Sequence, residues 1–302
     1  MIFADFFHSI GQFEFLRHAV AAGVLVSVAC GVIGVLVTVN RIVFISGGIA
    51  HTAYGGIGIG FYLGVNPAPC ALVFSVVSAL AMGWIEEKAR QRADTVIGIL
   101  WAVGMGVGIL FIDATPGYKA DLMTYLFGSI LAVSVFDLVL MAILNLCIVL
   151  FVLATYRQQL AASWDGDYAR TRGIPVRFYR YALLVMTALS VVLMMRVVGL
   201  ILVIALLTIP AASAALVSRR MGTQMWLSIL YGLAATQGGL MLSFYRNKTS
   251  GATIILAAAA LYVLTYAAAA LGRGMREKGS SSRLSSAELA GSPAIRAESR
   301  KV

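Results

Sequence analysis

The chain has 302 residues, of which 60% are hydrophobic and only 12% are charged, with a formal net charge of +10. Soluble domains carry about 45–50% apolar and about 25% charged residues, so this chain has too little charge to cover a water-soluble globule. The composition excludes a cytosolic enzyme, a disordered chain and a nucleic-acid-binding protein, and it predicts an all-α protein embedded in a lipid bilayer.

Runs of about 20 apolar residues, the length that crosses the hydrocarbon core, recur along the chain. The stretch 181–217 is interrupted by Arg196, so it is either one helical hairpin or one long span with a short piece. The sequence therefore predicts a membrane domain over residues 1–271 that is a bundle of eight or nine transmembrane helices. The nine runs are 15–39, 44–64, 68–85, 95–112, 131–153, 181–195, 198–217, 224–244 and 252–271.

The basic residues are unevenly distributed when nine spans alternate from an outside N-terminus. Eighteen of the 23 Lys and Arg residues then fall in inside loops or in the C-terminal tail. The five that fall outside are Arg17, Lys119, Arg196, Arg246 and Lys248. Because cytoplasmic loops are enriched in Lys and Arg, this distribution predicts an outside N-terminus and a cytoplasmic C-terminus.

Three segments are too polar to span the membrane. Residues 113–130 form an outer loop in which we predict a short or re-entrant helix. Residues 154–180 form the longest inner loop, where an early aspartate and a closing Gly-x-Pro favour a short capped helix. Residues 272–302 are rich in Ser, Ala and charge, and we predict a largely disordered cytoplasmic tail.

His51 is the clearest ionisable side chain within an apolar run. An ionisable group at membrane depth is costly, about 2.5–3.5 kcal/mol for a charge on insertion scales, and it is by default a functional candidate. Glycines surround it, including Gly47, Gly55 and Gly56, and these let helix backbones pack closely or frame a narrow path. The alternative is a histidine that is hydrogen-bonded within the bundle.

Two carboxylates on the predicted outer side complete a candidate metal site. Asp113 or Asp121 with His51 would form a mixed nitrogen and oxygen ligand set, which suits zinc, manganese or iron better than Cu(I). The chain contains no G-x-x-x-x-G-K-[ST] pattern and no zinc-protease or serine-hydrolase motif. The chain therefore has no phosphate-binding P-loop of its own, and nothing in it supports a zinc protease or a serine hydrolase.

Six motifs in a fixed order carry a resemblance to a known family. The chain resembles the ABC-3 permeases, which are the membrane subunits of bacterial and archaeal ABC importers for zinc, manganese or iron. The resemblance covers about residues 19–271. The motifs are RIVFISGGIAHTAYGGI at 41–57, ADTVIGI at 93–99, DLMTYLFGSIL at 121–131, WDGDYARTRGIP at 164–175, VGLILVIALLTIPAA at 198–212, which contains Pro210, and YRNKTSG at 245–251.

The resemblance implies a permease of the type II importer fold. It implies a homodimer with the translocation path at the two-fold axis, two ATPase subunits on the inside, and an extracytoplasmic binding protein that delivers the metal. It also implies the plasma membrane of a prokaryote, and a transport subunit that is not itself an enzyme and binds no cofactor, with a divalent metal as its cargo. Asp165, Ala169 and Gly173 match the family's coupling helix, which contacts the ATPase. Many members carry an aspartate four residues before the motif histidine, and here that position is Gly47.

Three other functions remain open from the sequence. A related ABC permease for a larger metal chelate, such as a siderophore or cobalamin, would share the coupling loop. An ion-coupled secondary transporter would show repeated halves with broken helices. An integral membrane enzyme would need a clustered set of His and Glu side chains around His51.

Overall fold

The computed structural model of the chain describes residues 11–89, 93–116, 128 and 130–289, and these ranges contain helices and no β-strand. The all-α bundle predicted from the sequence is confirmed. The helices, numbered in chain order, are α1 (Glu14–Val39), α2 (Val43–Tyr62), α3 (Pro67–Ala89), α4 (Ala93–Asp113), α5 (Val135–Trp164), α6 (Gly166–Thr171), α7 (Val176–Val198), α8 (Leu200–Val217), α9 (Met221–Arg246) and α10 (Ser250–Leu289), with a 3₁₀ turn at Ile130–Ala132.

Eight of the described helices are long and apolar enough to cross a membrane, namely α1, α3, α4, α5, α7, α8, α9 and α10. The protein is therefore an integral membrane protein. The other long helix, α2, has 20 residues, but six glycines and a histidine make it less apolar.

The two ends of α2 lie at opposite ends of α7. Just before α2, Asn40 lines a small pocket with Arg180, which is near the start of α7. Just after α2, Asn66 lines another pocket with Arg196, which is near the end of α7. Because α7 is itself a candidate span, α2 covers the same depth, and the described part of the chain holds nine helices of transmembrane length.

α1 is the central helix of the bundle, and it packs against α5, α7, α8 and α9. A Cβ at Gly31 would lie 2.5 Å from the side chain of Ile229, so the glycine lets α9 approach closely. The hydroxyl oxygens of Ser27 on α1 and Thr236 on α9 are 3.1 Å apart, within hydrogen-bonding distance. Close packing and interhelical hydrogen bonds of this kind hold helices together in lipid.

α2 lies between α3 and α4. α3 follows it after the turn at residues 63–66 and returns antiparallel to it. α4 runs parallel to α2, because Gly48 approaches Ile97 near one end and Gly58 approaches Gly108 towards the other. α2 carries His51 and α4 ends at Asp113, and the glycines of α2 set the spacing of the three helices.

The polar inner loop is shorter than the predicted range of 154–180. α5 continues to Trp164 and α7 begins at Val176. The helix extends past the apolar run because residues 154–164 contain good helix formers and neither Gly nor Pro. Only α6 and its flanking turns remain between the two long helices.

The stretch 181–217 consists of two helices that Gly199 alone separates. Gly199 has φ 83°, a conformation that a side chain would disfavour. Arg196 does not interrupt α7, since its guanidinium reaches Asp137 on α5, with 3.5 Å between Nη1 and Oδ1. Of the two predicted alternatives for residues 181–217, the structure therefore has two separate long helices.

The chain divides into two compact units, residues 1–262 and 263–302, and the second begins within α10. α10 continues to Leu289, so its helical backbone enters the tail for which the sequence predicts disorder. The boundary at residue 271 stays a prediction. Most of the predicted outer loop 113–130, including Asp121, lies outside the described residues.

Candidate functional site

His51 is the ninth of the 20 residues of α2, and two side chains of α4 hold its ring. The indole of Trp101 stacks on the imidazole, with 4.2 Å between ring centroids and 22° between the planes. The Nδ1 atom lies 3.2 Å from the sulfur of Met105, one turn further along α4. The ring is half-buried, so the α2–α4 pair leaves part of it open.

Open space lies beside His51 on the same helix. Gly47 is one turn earlier on α2, and a Cβ there would meet nothing within 4 Å. Residues four apart lie on one face of a helix, so a side chain at position 47 would reach towards the imidazole. At the position where the resemblance predicts an aspartate, this chain has glycine, and no described residue outside α2 lies within 4 Å of where its Cβ would be.

Asp113 does not lie near His51 within one chain. It is the last residue of α4, where Phe111 packs its ring 5.2 Å from that of Tyr62 at the end of α2. Tyr62 follows His51 by eleven residues, about 16 Å along a helix. Asp121 lies outside the described residues. Within the described ranges no group of three or more His, Cys, Asp or Glu residues could hold a metal ion.

Gly55 and Gly56 serve as contact points between helices. A Cβ at Gly55 would lie 2.7 Å from the ring of Phe74, and one at Gly56 would lie 2.5 Å from the backbone of Ala71 on α3. Both glycines are therefore needed for the approach of α3. Pro210 is buried inside α8, where it lacks the N–H that would bond to the preceding turn.

The predicted short helix is present as α6. The carboxylate of Asp165 accepts hydrogen bonds from the backbone N–H groups of Asp167 and Tyr168, at 3.1 and 2.9 Å, and so caps the helix. Ala169 is fully buried beneath it. Gly173 ends the turn with φ 75°, which favours glycine.

Two ion pairs join the start of α7, which directly follows α6, to the end of α3. Arg180 Nη2 lies 2.5 Å from Glu86 Oε2, and Arg177 Nη2 lies 3.1 Å from Glu87 Oε2. We call these four residues the Arg–Glu clamp. Because α3 packs along α2, the clamp connects the short helix to the helices around His51.

A second connection runs from α5 to α1. The amide nitrogen of Asn40, at the end of α1, donates to the hydroxyl of Ser163 at 3.0 Å, two residues before Asp165. Sequence reasoning did not identify Trp101, Met105, Asn40 or the Arg–Glu clamp. Trp101 and Met105 could have been identified by their four-residue spacing within one predicted span, which packs beside the helix of His51.

Comparison with known proteins gives one consistent result. The ABC 3 transport family matches residues 12–269. The chain is 31% identical to the manganese transport system membrane protein MntC of Halalkalibacterium halodurans, over 86% of this chain and 89% of that protein. It is 28% identical to the high-affinity zinc uptake system membrane protein ZnuB of Haemophilus influenzae, over 84% and 97%.

A solved structure agrees with these sequence relatives. The chain is similar to a chain of PsaBC from Streptococcus pneumoniae, solved in complex with a Fab, with a TM-score of 0.79 and 30% identity. The alignment covers 87% of this chain and 95% of that one. The fold similarity therefore extends over nearly the whole membrane bundle.

Proposed function

The chain belongs to the ABC 3 transport family, and we propose that it is the permease subunit of an ATP-driven importer for a divalent transition-metal ion. The manganese and zinc systems named for two relatives support a metal cargo, which we take as zinc, manganese or iron. A separate ATPase subunit on the cytoplasmic side hydrolyses ATP, and an extracytoplasmic binding protein delivers the metal. The host membrane is the plasma membrane of a prokaryote.

The place of His51 is the observation that carries this proposal. Its imidazole lies at mid-length in α2, half-buried, on the face of α2 where Gly47, one turn earlier, leaves open space. Neutral imidazole is a common transition-metal ligand, and a weak, transient ligand is what a transport path requires. A second copy of the chain over this face would enclose the imidazole, so we place the path at the axis of a homodimer.

α6 is the proposed contact with the ATPase. The aromatic side chains of Trp164 and Tyr168 are 73% and 53% exposed there. Exposed aromatic side chains favour burial in a partner's cleft. Asp165 and Gly173 fix the two ends of the helix, while buried Ala169 lets it lie close to α5 and α7.

The mechanism that follows is alternating access. ATP closes the two ATPase subunits and moves α6 with them. The motion passes directly into α7, and through the Arg–Glu clamp into α3 and the helices beside it. The subunits rock against each other, and access to His51 changes from the outside to the inside.

The test is uptake by the reconstituted complex of this chain with its ATPase. We expect His51→Ala to reduce uptake of radiolabelled zinc, manganese or iron by about tenfold or more, because a ligand is removed. ATP hydrolysis should continue, since His51 is far along α2 from α6. The matched control is His18→Ala on α1, where the imidazole lies 3.9 Å from Glu14 and away from this face.

Three results would contradict the proposal. Normal metal uptake by the assembled His51→Ala complex would remove the histidine from the path. Uptake that proceeds without ATP would indicate an ion-coupled secondary transporter instead. Uptake of a metal chelate but not of the free ion would assign the chain to chelate transport.

A further inference from the structure

We propose that Met105 determines metal specificity, by presenting its thioether sulfur together with the imidazole of His51 to the cargo ion and so favouring zinc over manganese. This inference rests on the proposed function, because it needs a metal ion that passes His51. It goes beyond that function by naming a second donor atom, the sulfur of Met105, which this chain places beside His51.

The distance between the two donor atoms suits one ion. Nδ1 of His51 and Sδ of Met105 are 3.2 Å apart. Two ligands of a tetrahedral zinc ion, a nitrogen at about 2.0 Å and a sulfur at about 2.3 Å, which is the distance for a cysteine sulfur, lie about 3.5 Å from each other. A shift of a few tenths of an ångström, which the flexible methionine side chain permits, would complete the pair.

Trp101 keeps the pair in place. Its indole stacks on the imidazole at 4.2 Å between centroids, one turn before Met105 on the same helix. The stacked ring cannot swing away from α4 without losing this contact. The imidazole is therefore held beside α4 by two side chains, the stacked indole of Trp101 and the sulfur of Met105 next to Nδ1.

The oxygen donor that would favour manganese is missing from this position. Gly47 has no side chain, and the end of α4 places Asp113 about 16 Å along the helix from His51. Carboxylate and water ligands suit manganese, whereas imidazole and sulfur ligands suit zinc. Among the described residues beside His51 the donor pair is nitrogen and sulfur, which favours zinc.

Two substitutions separate the donors without disturbing the packing. Met105→Leu conserves volume and removes the sulfur. Gly47→Asp adds a carboxylate where a Cβ has nothing within 4 Å. The matched control is Met141→Leu, a buried methionine on α5 away from the α2–α4 pair.

The experiment measures uptake by the reconstituted complex from an equimolar mixture of radiolabelled zinc and manganese. We expect the unsubstituted complex to take up more zinc than manganese. Met105→Leu should lower the zinc-to-manganese ratio by about tenfold, with manganese uptake nearly unchanged, and Gly47→Asp should lower it by raising manganese uptake. Met141→Leu should leave the ratio unchanged.

A spectroscopic measurement tests the bond itself. X-ray absorption at the zinc edge of the loaded complex should show a sulfur neighbour that Met105→Leu removes and Met141→Leu retains. An unchanged uptake ratio in Met105→Leu, an equal loss of both metals, or the absence of that sulfur overturns the inference. If His51→Ala abolishes metal uptake while Met105→Leu leaves the ratio intact, the proposed function stands and only this inference fails.

Discussion

At the scale of single residues, glycines decide how closely the helices approach. The spacing of Gly56, Gly60 and Gly64 predicts a small-residue packing stripe, and the first two do face the backbone of α3. Gly64 instead lies beyond α2 with φ 66°, in the turn to α3. The sequence pattern could not separate these roles, because it shows spacing but not where the helix ends.

Gly238 and Gly239 on α9 offer a matched pair for measuring this effect. A Cβ at Gly239 would lie 2.5 Å from the backbone of Ile254 on α10, whereas one at Gly238 would meet nothing within 4 Å. We expect Gly239→Ala to destabilise the protein by about 1–3 kcal/mol through overpacking. Thermal unfolding in detergent provides the measurement.

The neighbouring substitution, Gly238→Ala, is the control and should leave the unfolding temperature unchanged or slightly raised, because alanine favours a helix. Equal unfolding temperatures for the two variants would show that the α9–α10 contact tolerates a methyl group.

The sequence indicates the importance of some single polar residues but not the partners of others. His51 was identifiable because it is the one histidine well inside an apolar run. The sequence alone assigns no role to Asp137. In the structure its carboxylate accepts a hydrogen bond from Ser134 Oγ at 2.6 Å and forms an ion pair with Arg196 at 3.5 Å. That second partner is distant in sequence, so spacing alone could not identify it.

At the scale of elements, α6 is the part that the sequence predicted best. Its cap and its terminating glycine are local signals, and both are present. The limits of α5 were predicted less well, because hydropathy marks where a helix leaves the apolar core and not where its hydrogen bonds stop. The docking role of α6 stays a prediction.

The cap of α6 provides a test of that role. Asp165→Ala removes the acceptor for two backbone N–H groups and should cost about 1 kcal/mol of helix stability. We expect weaker association with the ATPase and several-fold lower metal uptake per ATP hydrolysed, measured in proteoliposomes. Asp165→Asn should behave like the unsubstituted protein, because asparagine is an equally good cap. Full coupling in Asp165→Ala would argue against a docking role for a well-formed α6.

The Arg–Glu clamp makes a second prediction at this scale. Arg180→Glu places a carboxylate beside Glu86, where the native pair lies 2.5 Å apart. Like charges at this distance repel, so we expect the connection between α7 and α3 to loosen and uptake per ATP to fall several-fold.

The double variant Arg180→Glu with Glu86→Arg restores opposite charges with their positions exchanged, and we expect it to recover most of the lost coupling. Failure of the double variant to recover while the protein remains folded would mean that the clamp does not transmit the motion.

At the scale of the whole molecule, composition predicts the class of protein, and the helix bounds show how many described helices have transmembrane length. Hydropathy leaves eight helices within the described residues, because the glycines and histidine of α2 lower its apolar character. The pockets that join Asn40 to Arg180 and Asn66 to Arg196 place the ends of α2 at opposite ends of α7. The helix that carries the proposed metal ligand His51 is thus less apolar than the other eight.

The topology predicted from basic residues can be tested through α2. If α1 and α2 both cross the membrane, Phe13 before α1 and Leu63 after α2 lie on the same side, outside the cell, while Trp164 lies inside. All three side chains are exposed. In a background without the three native cysteines, an impermeant maleimide should label Phe13→Cys and Leu63→Cys in intact cells, and Trp164→Cys only after permeabilisation.

The pattern of labelling distinguishes the two ways in which this topology could fail. Labelling of Phe13→Cys and Trp164→Cys without Leu63→Cys would mean that α2 does not cross, because removing one crossing also moves Trp164 to the outside. His51 would then lie outside any transmembrane path. Labelling of Trp164→Cys alone would invert the molecule and place α6 outside, where no ATPase could reach it. The proposed transport mechanism therefore requires the outside N-terminus and the ninth span together, since only that combination puts α6 in the cytoplasm and His51 within the membrane.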